Sequence, residues 1–464
     1  MTARRYSPIG SRRGWSMVYP ATHAATTEPW PRYAIPVDVW VFLLVALVIR
    51  LILAPLTEGW DFSADAHASA LTLHGHDVYA LARSAFHLPW TYFPLCLHLF
   101  TALQWVAGST GWPFRVLGKL PTVAADLGIG YLLFMTLRRR GESEAVAVLG
   151  MALYLFNPLA LLNGALLGRF DAIALVFALL SLEWYTTKLF APFYGLAIAA
   201  KTFPIFLVPL LLLGRDRQKP GQLLLALLLV PLLALPYIAT DPRGLLGYLF
   251  YDVHSPWLGP LSSYYIVPHG HPWPLALTMA RAGTLLYPLA LLLVAHRPLY
   301  VKAACTFVLF VALNRVVYEQ YLVWALPFLI VVALRHRSRL ALWLYALYTI
   351  AGVLESEQTW APFDPRFHYS LIPTPWPPLS GLLAVSALLF VVTQALHGRA
   401  RPLFRRRTFP AIPTPARSPR RGAALDRHAP GGAWQGPDRE SSTRTRSRAD
   451  PAKPRPYGDA SRPD

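Results

Sequence analysis

Charge is what this chain has least of. Only 14% of its residues are charged and 55% are hydrophobic, whereas a soluble globular domain carries about a quarter charged residues. That excludes an ordinary soluble domain as the main body. Cysteine is almost absent: Cys96 and Cys305 each lie in an apolar stretch. Two such residues exclude a disulfide framework and a Cys-x-x-Cys site. Histidines are present at positions 67, 74, 76, 87 and 98, but their spacing fits no zinc-ligand pattern. A cleavable leader is not evident either. The arginines at positions 4, 5, 12, 13 and 32 lead straight into the first apolar block, which reads as an uncleaved anchor.

What is present is apolar sequence in blocks bounded by Arg, Pro or Gly. A straight helix needs about 20 apolar residues to cross a bilayer, so there is material for roughly a dozen spans. We draw them at Val37–Thr57, Phe114–Leu137, Ala145–Leu162, Phe170–Tyr185, Phe190–Ala200, Phe203–Leu213, Leu223–Ala239, Pro274–Ala295, Ala303–Leu313, Tyr321–Leu334, Leu340–Leu354 and Leu379–Leu396. The expected fold is therefore all-α, a polytopic membrane protein with about 12 transmembrane helices and extra helices lying on the outer surface. Residues 1–36 form a cytoplasmic head, 37–397 the membrane domain and 398–464 a basic tail.

The net charge of +19 invites a nucleic-acid partner, but about half of it lies after Gly398, among Arg, Pro and Ser. Such a stretch cannot bury a core and should be disordered. Beside a membrane it marks the cytoplasmic side and touches anionic lipid. We therefore expect membrane lipids, and no nucleic acid, as its partners.

Short basic loops prefer the cytoplasm. With an inside N-terminus, this rule places Arg138-Arg139-Arg140, Thr186–Lys188, Arg215–Lys219, His296–Lys302 and Arg335–Arg339 inside. It requires that the apolar block Tyr92–Trp105 lie along the outer surface instead of crossing. Counting that block as a span and Phe190–Leu213 as a single one also gives twelve, but forces Arg138-Arg139-Arg140 outside. In the preferred drawing, Phe190–Ala200 and Phe203–Leu213 are each about 16 Å long. Neither crosses a core of about 30 Å alone. Lys201, Thr202 and Pro204 sit at the break. Broken backbone at that depth is tolerated only where it lines a cavity, so a polar cavity should open outward there.

The outer segments hold most of the polar residues of interest. Asp61 and Asp65 follow the first span, and a helix there would put both carboxylates on one face. Such a pair can supply a general base and an orienting group, or hold a divalent metal; equally, Asp61 can simply cap a helix. Arg169 and Asp171 end another span, as a phosphate site or a plain ion pair. Lys201 lies inside an apolar stretch, which costs about 2.5–3.5 kcal/mol on insertion scales and usually marks function or pairing. Arg315 and Glu319 lie between two later spans. Snorkelling to the surface is the bland alternative for Lys201 and Arg315, and we expect it for Arg50 and Arg281, which lie near span ends. The loop Asp241–His271 carries Tyr264 among other aromatics, suited to a sugar, a lipid headgroup or an interfacial belt.

Several of these segments together resemble the GT-C superfamily of polyprenyl-phosphate-sugar-dependent glycosyltransferases, most closely the bacterial mannosyltransferases of glycosyltransferase family 87. The likeness lies in Asp61-Phe62 with Gly75-His76-Asp77-Val78-Tyr79, Thr91-Tyr92-Phe93-Pro94-Leu95, and Lys119-Leu120-Pro121 running to Ala125-Asp126. It continues in Gly168-Arg169-Phe170-Asp171, Lys201-Thr202-Phe203-Pro204 and Tyr321–Pro327. It covers roughly Val37 to Leu334. Phe93 replaces a Pro, and Arg169 stands where Gln is usual. The resemblance implies an inverting transfer of a hexose, mannose as first choice, from a polyprenyl-phosphate donor to a lipid or glycan acceptor of the cell envelope. Asp61 would be the general base and Asp65 a second carboxylate. Lys201, Arg169 and Arg315 would bind the donor phosphate, and Asp171, Tyr92, Glu319 and Tyr264 the substrate. No cofactor is required; a divalent metal is compatible. The site would face outward from the cell membrane, with both termini cytoplasmic. A lipid-linked sugar transporter or flippase without chemistry is the alternative, and a non-catalytic envelope scaffold a third. Clear inverted repeats, which would favour a transporter, are not seen.

Overall fold

The computed structural model describes residues 35–81, 90–213, 217–243, 245, 262, 273–356 and 377–397. The chain divides into two units, Met1–Phe404 and Arg405–Asp464, and every described residue lies in the first. Among the described residues the fold is all helical, with no strand. Its principal helices are α1 (Val37–Leu53), α2 (Trp60–Leu73), α3 (Pro94–Thr110), α4 (Leu120–Arg139), α5 (Glu144–Leu155) and α6 (Pro158–Leu161, continuing as a π-turn over Leu162–Leu166). There follow α7 (Asp171–Glu183), α8 (Phe190–Ala200), a 3₁₀ turn (Phe203–Leu207) leading into α9 (Val208–Leu212), α10 (Pro220–Leu233), α11 (Trp273–Leu292) and α12 (Leu299–Leu313). The last are α13 (Glu319–Val323), α14 (Leu326–Arg335), α15 (Arg339–Glu355) and α16 (Pro377–His397).

Two helices, Phe114–Arg139 and Leu379–Leu396, are long and apolar enough to cross a membrane. A third candidate joins Glu144–Leu155 to Pro158–Leu166 across a 45° bend. These are compatible with a membrane location. Among the described residues the other apolar helices run to 20 residues at most, and proline or polar residues divide several of the expected spans. Asn157 caps α6 just before Pro158, accepting from the Leu159 and Ala160 amides. Glu319–Val323 and Leu326–Arg335 are likewise separate helices with Pro327 at the start of the second. Tyr92–Trp105, expected to lie along the surface, contains most of a 17-residue helix, α3, packed on α2 and α8.

The break at Lys201 falls where the sequence places it. α8 ends at Ala200, Lys201 is extended (φ −155°, ψ 142°), and Phe203 opens the 3₁₀ turn. Backbone freed by the break is satisfied locally: Tyr194 Oη donates to the Pro204 carbonyl at 2.7 Å. Close packing fixes the neighbouring helices. A Cβ at Gly195 would lie 2.7 Å from the Ala226 carbonyl, so α8 and α10 approach backbone to backbone. Small residues permit that approach where burial from water supplies little drive.

Arg50 does not snorkel. It is fully buried, with Nε 3.2 Å from Asp126 Oδ2 and Nη1 donating to the Leu155 carbonyl at 3.0 Å. Tyr154 Oη donates to the other Asp126 oxygen at 2.9 Å. A partner 76 residues away makes burial cheaper than reaching for the surface. Arg281, by contrast, is exposed on α11.

Candidate functional site

α2 begins at Trp60, so Asp61 and Asp65 sit one turn apart on the same helix. Its start is held against the end of the π-turn. The Gly59 amide donates to the Leu167 carbonyl at 2.9 Å. Gly168 has φ +79°, and a Cβ there would lie 2.5 Å from the Phe62 ring. Only glycine meets both demands. Lys119 completes the junction, its Nζ donating to the carbonyls of Ala54, Thr57 and Leu166.

That turn aims Arg169 and Asp171 in different directions. Arg169, 9% exposed, hydrogen-bonds Asn163 Oδ1 at 3.2 Å and forms a short ion pair with Glu319. Its Nε lies 3.2 Å from Asp61 Oδ2, but the N–H is not aligned on that oxygen and finds no hydrogen-bond partner. Asp61 is the most open carboxylate of the group, its side chain 35% exposed. Asp171 opens α7 and is saturated: Lys201 Nζ donates to one oxygen at 2.7 Å and Trp324 Nε1 to the other at 2.6 Å. Lys201 Nζ also stands 4.9 Å from the centroids of Tyr92 and Phe170. Trp324 is aimed by stacking on Phe203, with centroids 4.1 Å apart. The loop before α3 closes this side. Trp90 stacks on Phe170, and Tyr79 Oη donates to the Tyr92 carbonyl at 2.7 Å.

Asp65 is buried under Asp61, and its Oδ2 has no hydrogen-bond partner. Desolvation first, and then the Asp61 charge, hold its carboxyl well above the usual range. Asp65 therefore holds a proton more tightly than a free carboxyl does, and Asp61 is the accessible member of the pair.

Asp61, Asp65, Tyr92, Arg169, Asp171, Lys201 and Glu319 are thus brought together from separate stretches of chain. Arg315 is buried in the connector just before α13. Tyr264, with most of the Asp241–His271 loop, lies outside the described residues. Both Arg169 and Lys201 already face carboxylates, so the cluster holds four acids to two cations. Among the described residues no three His, Cys, Asp or Glu side chains converge as metal ligands. Asn163 and Trp324 went unread in the sequence; the signal was a lone amide in an apolar block and an indole within the Tyr321–Pro327 motif. No family model matches this chain, and no curated protein is significantly similar to it.

Proposed function

We propose that this chain is a membrane glycosyltransferase of the GT-C kind, moving a hexose from a polyprenyl-phosphate donor to a hydroxyl-bearing lipid or glycan acceptor. The observation that carries this reading is the Asp61–Arg169 contact: an accessible carboxylate beside a buried guanidinium whose Nε–H is unused. A donor phosphate offers that N–H an aligned oxygen and a charge-assisted bond. Taking it releases Asp61 from the arginine, leaving Asp61 as an unpaired base. Asp61 then removes the proton from the acceptor hydroxyl as its oxygen attacks the anomeric carbon. The bond from that carbon to the phosphate oxygen breaks, the electron pair leaves with polyprenyl phosphate, and the configuration inverts. Arg169 stabilises the charge that develops on the leaving phosphate. Lys201, held by Asp171, which Trp324 fixes in turn, adds positive potential beside Tyr92. Mannose is the first choice of sugar.

In this reading the protein is a multi-pass protein of the cell membrane, with both termini cytoplasmic and the Asp61 cluster on the outer face. The helix break at Lys201 also suits a transporter of lipid-linked sugar, and chemistry separates the two. Purified protein given labelled polyprenyl-phosphate mannose and an envelope lipid extract should release polyprenyl phosphate. Asp61→Asn should slow that release by about 10²–10⁴-fold with insertion unchanged. Full activity in the variant would remove Asp61 as the base; flip-flop without release would establish the transporter. Single cysteines near Arg139 and near Asp171 should label from the inside and the outside respectively, and the reverse pattern would overturn the orientation.

A further inference from the structure

Beyond Glu319 lies a group of polar atoms that the transfer step does not use. α13 packs against α15, which sets residues at the start of one beside the end of the other. Glu355 lies just past the apolar stretch Leu340–Leu354. Desolvation, and then the nearby Glu319 charge, push its carboxyl up to about 7. Three oxygens here are buried without a hydrogen-bond partner: Gln320 Oε1, Glu355 Oε1 and Ser356 Oγ. Gln320 is 5% exposed and Ser356 fully buried. A buried polar atom left unpaired is rare and costly, and three at the meeting ends of two packed helices call for a common cause. An amide carbonyl and a carboxylate oxygen accept, and a hydroxyl both accepts and donates. What they lack is a set of hydrogen-bond partners, donors above all, fixed on one small group. A phosphate has no such set; a polyol does.

We infer that Gln320, Glu355 and Ser356 form a subsite for the hydroxyls of a sugar, placed beside Arg169 by the Glu319–Arg169 pair. The inference rests on the glycosyl-transfer reading only in taking that sugar to be the one carried by the polyprenyl phosphate. Arg169 would face the phosphate and this subsite the hexose, dividing recognition of the donor between charge and hydroxyl groups.

The test uses the full chain in lipid nanodiscs and two lipids, polyprenyl-phosphate mannose and sugar-free polyprenyl phosphate. Gln320→Leu and Ser356→Ala should each weaken binding of the mannosylated lipid about tenfold, the scale of one lost hydrogen bond to a buried acceptor. Binding of the sugar-free lipid should not change. The ligand-free melting temperature should hold or rise, because each substitution removes an unpaired acceptor. Equal weakening of both lipids, or no weakening of either, would overturn the subsite. A parallel arm uses methyl α-mannoside and saturation-transfer NMR. If neither lipid binds, the transfer reading fails. The subsite then stands only if the glycoside still gives transfer signals that Gln320→Leu abolishes, and falls if it does not.

Discussion

The two ends of α7 treat their charges in opposite ways. At one end Glu183 accepts from Thr136 Oγ1 at 2.9 Å, Tyr300 Oη at 2.6 Å, Arg139 at 3.1 Å and Arg140 at 2.9 Å. The Arg140 guanidinium also lies 4.4 Å from the Tyr300 ring centroid. One carboxylate is met by four donors, and Arg335 pairs with Glu142 nearby at 2.9 Å. At the other end carboxylates outnumber cations. Asp171 is saturated, but Asp65, Gln320 and Glu355 keep unpaired oxygens, and Arg169 keeps an unused N–H. A buried cluster whose bonds are complete holds helices together. One with bonds left over has room for a further partner. In the proposed function, Asp171, Lys201 and Trp324 would be the fixed wall of the site, and Asp61, Arg169 and Asp65 its working side.

This contrast can be broken by substitution. Glu183→Ala should have the largest effect on stability. It leaves two arginines, a phenol and a hydroxyl without their acceptor, and should cost about 3 kcal/mol, the low end for breaking a buried pair because both arginines are partly exposed. Thermal unfolding in detergent measures it; a loss near zero would mean that the cluster holds nothing. Gly168→Ala should come next, at about 1–2 kcal/mol for a left-handed residue given a Cβ, with transfer activity falling as Phe62 is displaced. Unchanged activity would detach the Arg169 turn from function. Asp65→Asn should be the smallest. The folded chain keeps the Asp65 proton where an unfolded carboxyl, with pKa about 3.9, has lost it. Wild-type stability therefore falls as pH climbs above about 4. Asn carries no such loss. Melting temperatures of variant and wild type should agree near pH 4 and diverge in favour of the variant toward pH 8; a variant less stable at pH 8 would show Asp65 ionised and paired.

How much could be read beforehand depended on range. The helix break at Lys201 was legible because apolar length, a lysine and Pro204 are local signals. So was the apolar block that becomes Phe114–Arg139. Pairing was not. Arg50 looked free to snorkel because Asp126 is distant in sequence, and only packing of α1 on α4 reveals the partner. The sequence leaves Arg169 and Lys201 open between phosphate binding and ion pairing, and does not name the partners; their carboxylates, Glu319 and Asp171, sit 150 and 30 residues away. Unpaired atoms such as Gln320 Oε1 have no sequence signature, because what distinguishes them is the lack of a neighbour in space.

Lys119 Nζ donates all three of its protons to main-chain carbonyls, those of Ala54, Thr57 and Leu166. The ammonium sits as a potassium ion would, wrapped in carbonyl oxygen with no counter-charge hydrogen-bonded to it. Replaced by a methionine of similar length, it would leave three inward carbonyls and no proton to share. The cage would then have to draw in water or an alkali cation, or open. The junction that aims Arg169 would come to depend on the salt in the buffer, a dependence the wild-type chain avoids by carrying its own cation on a tether.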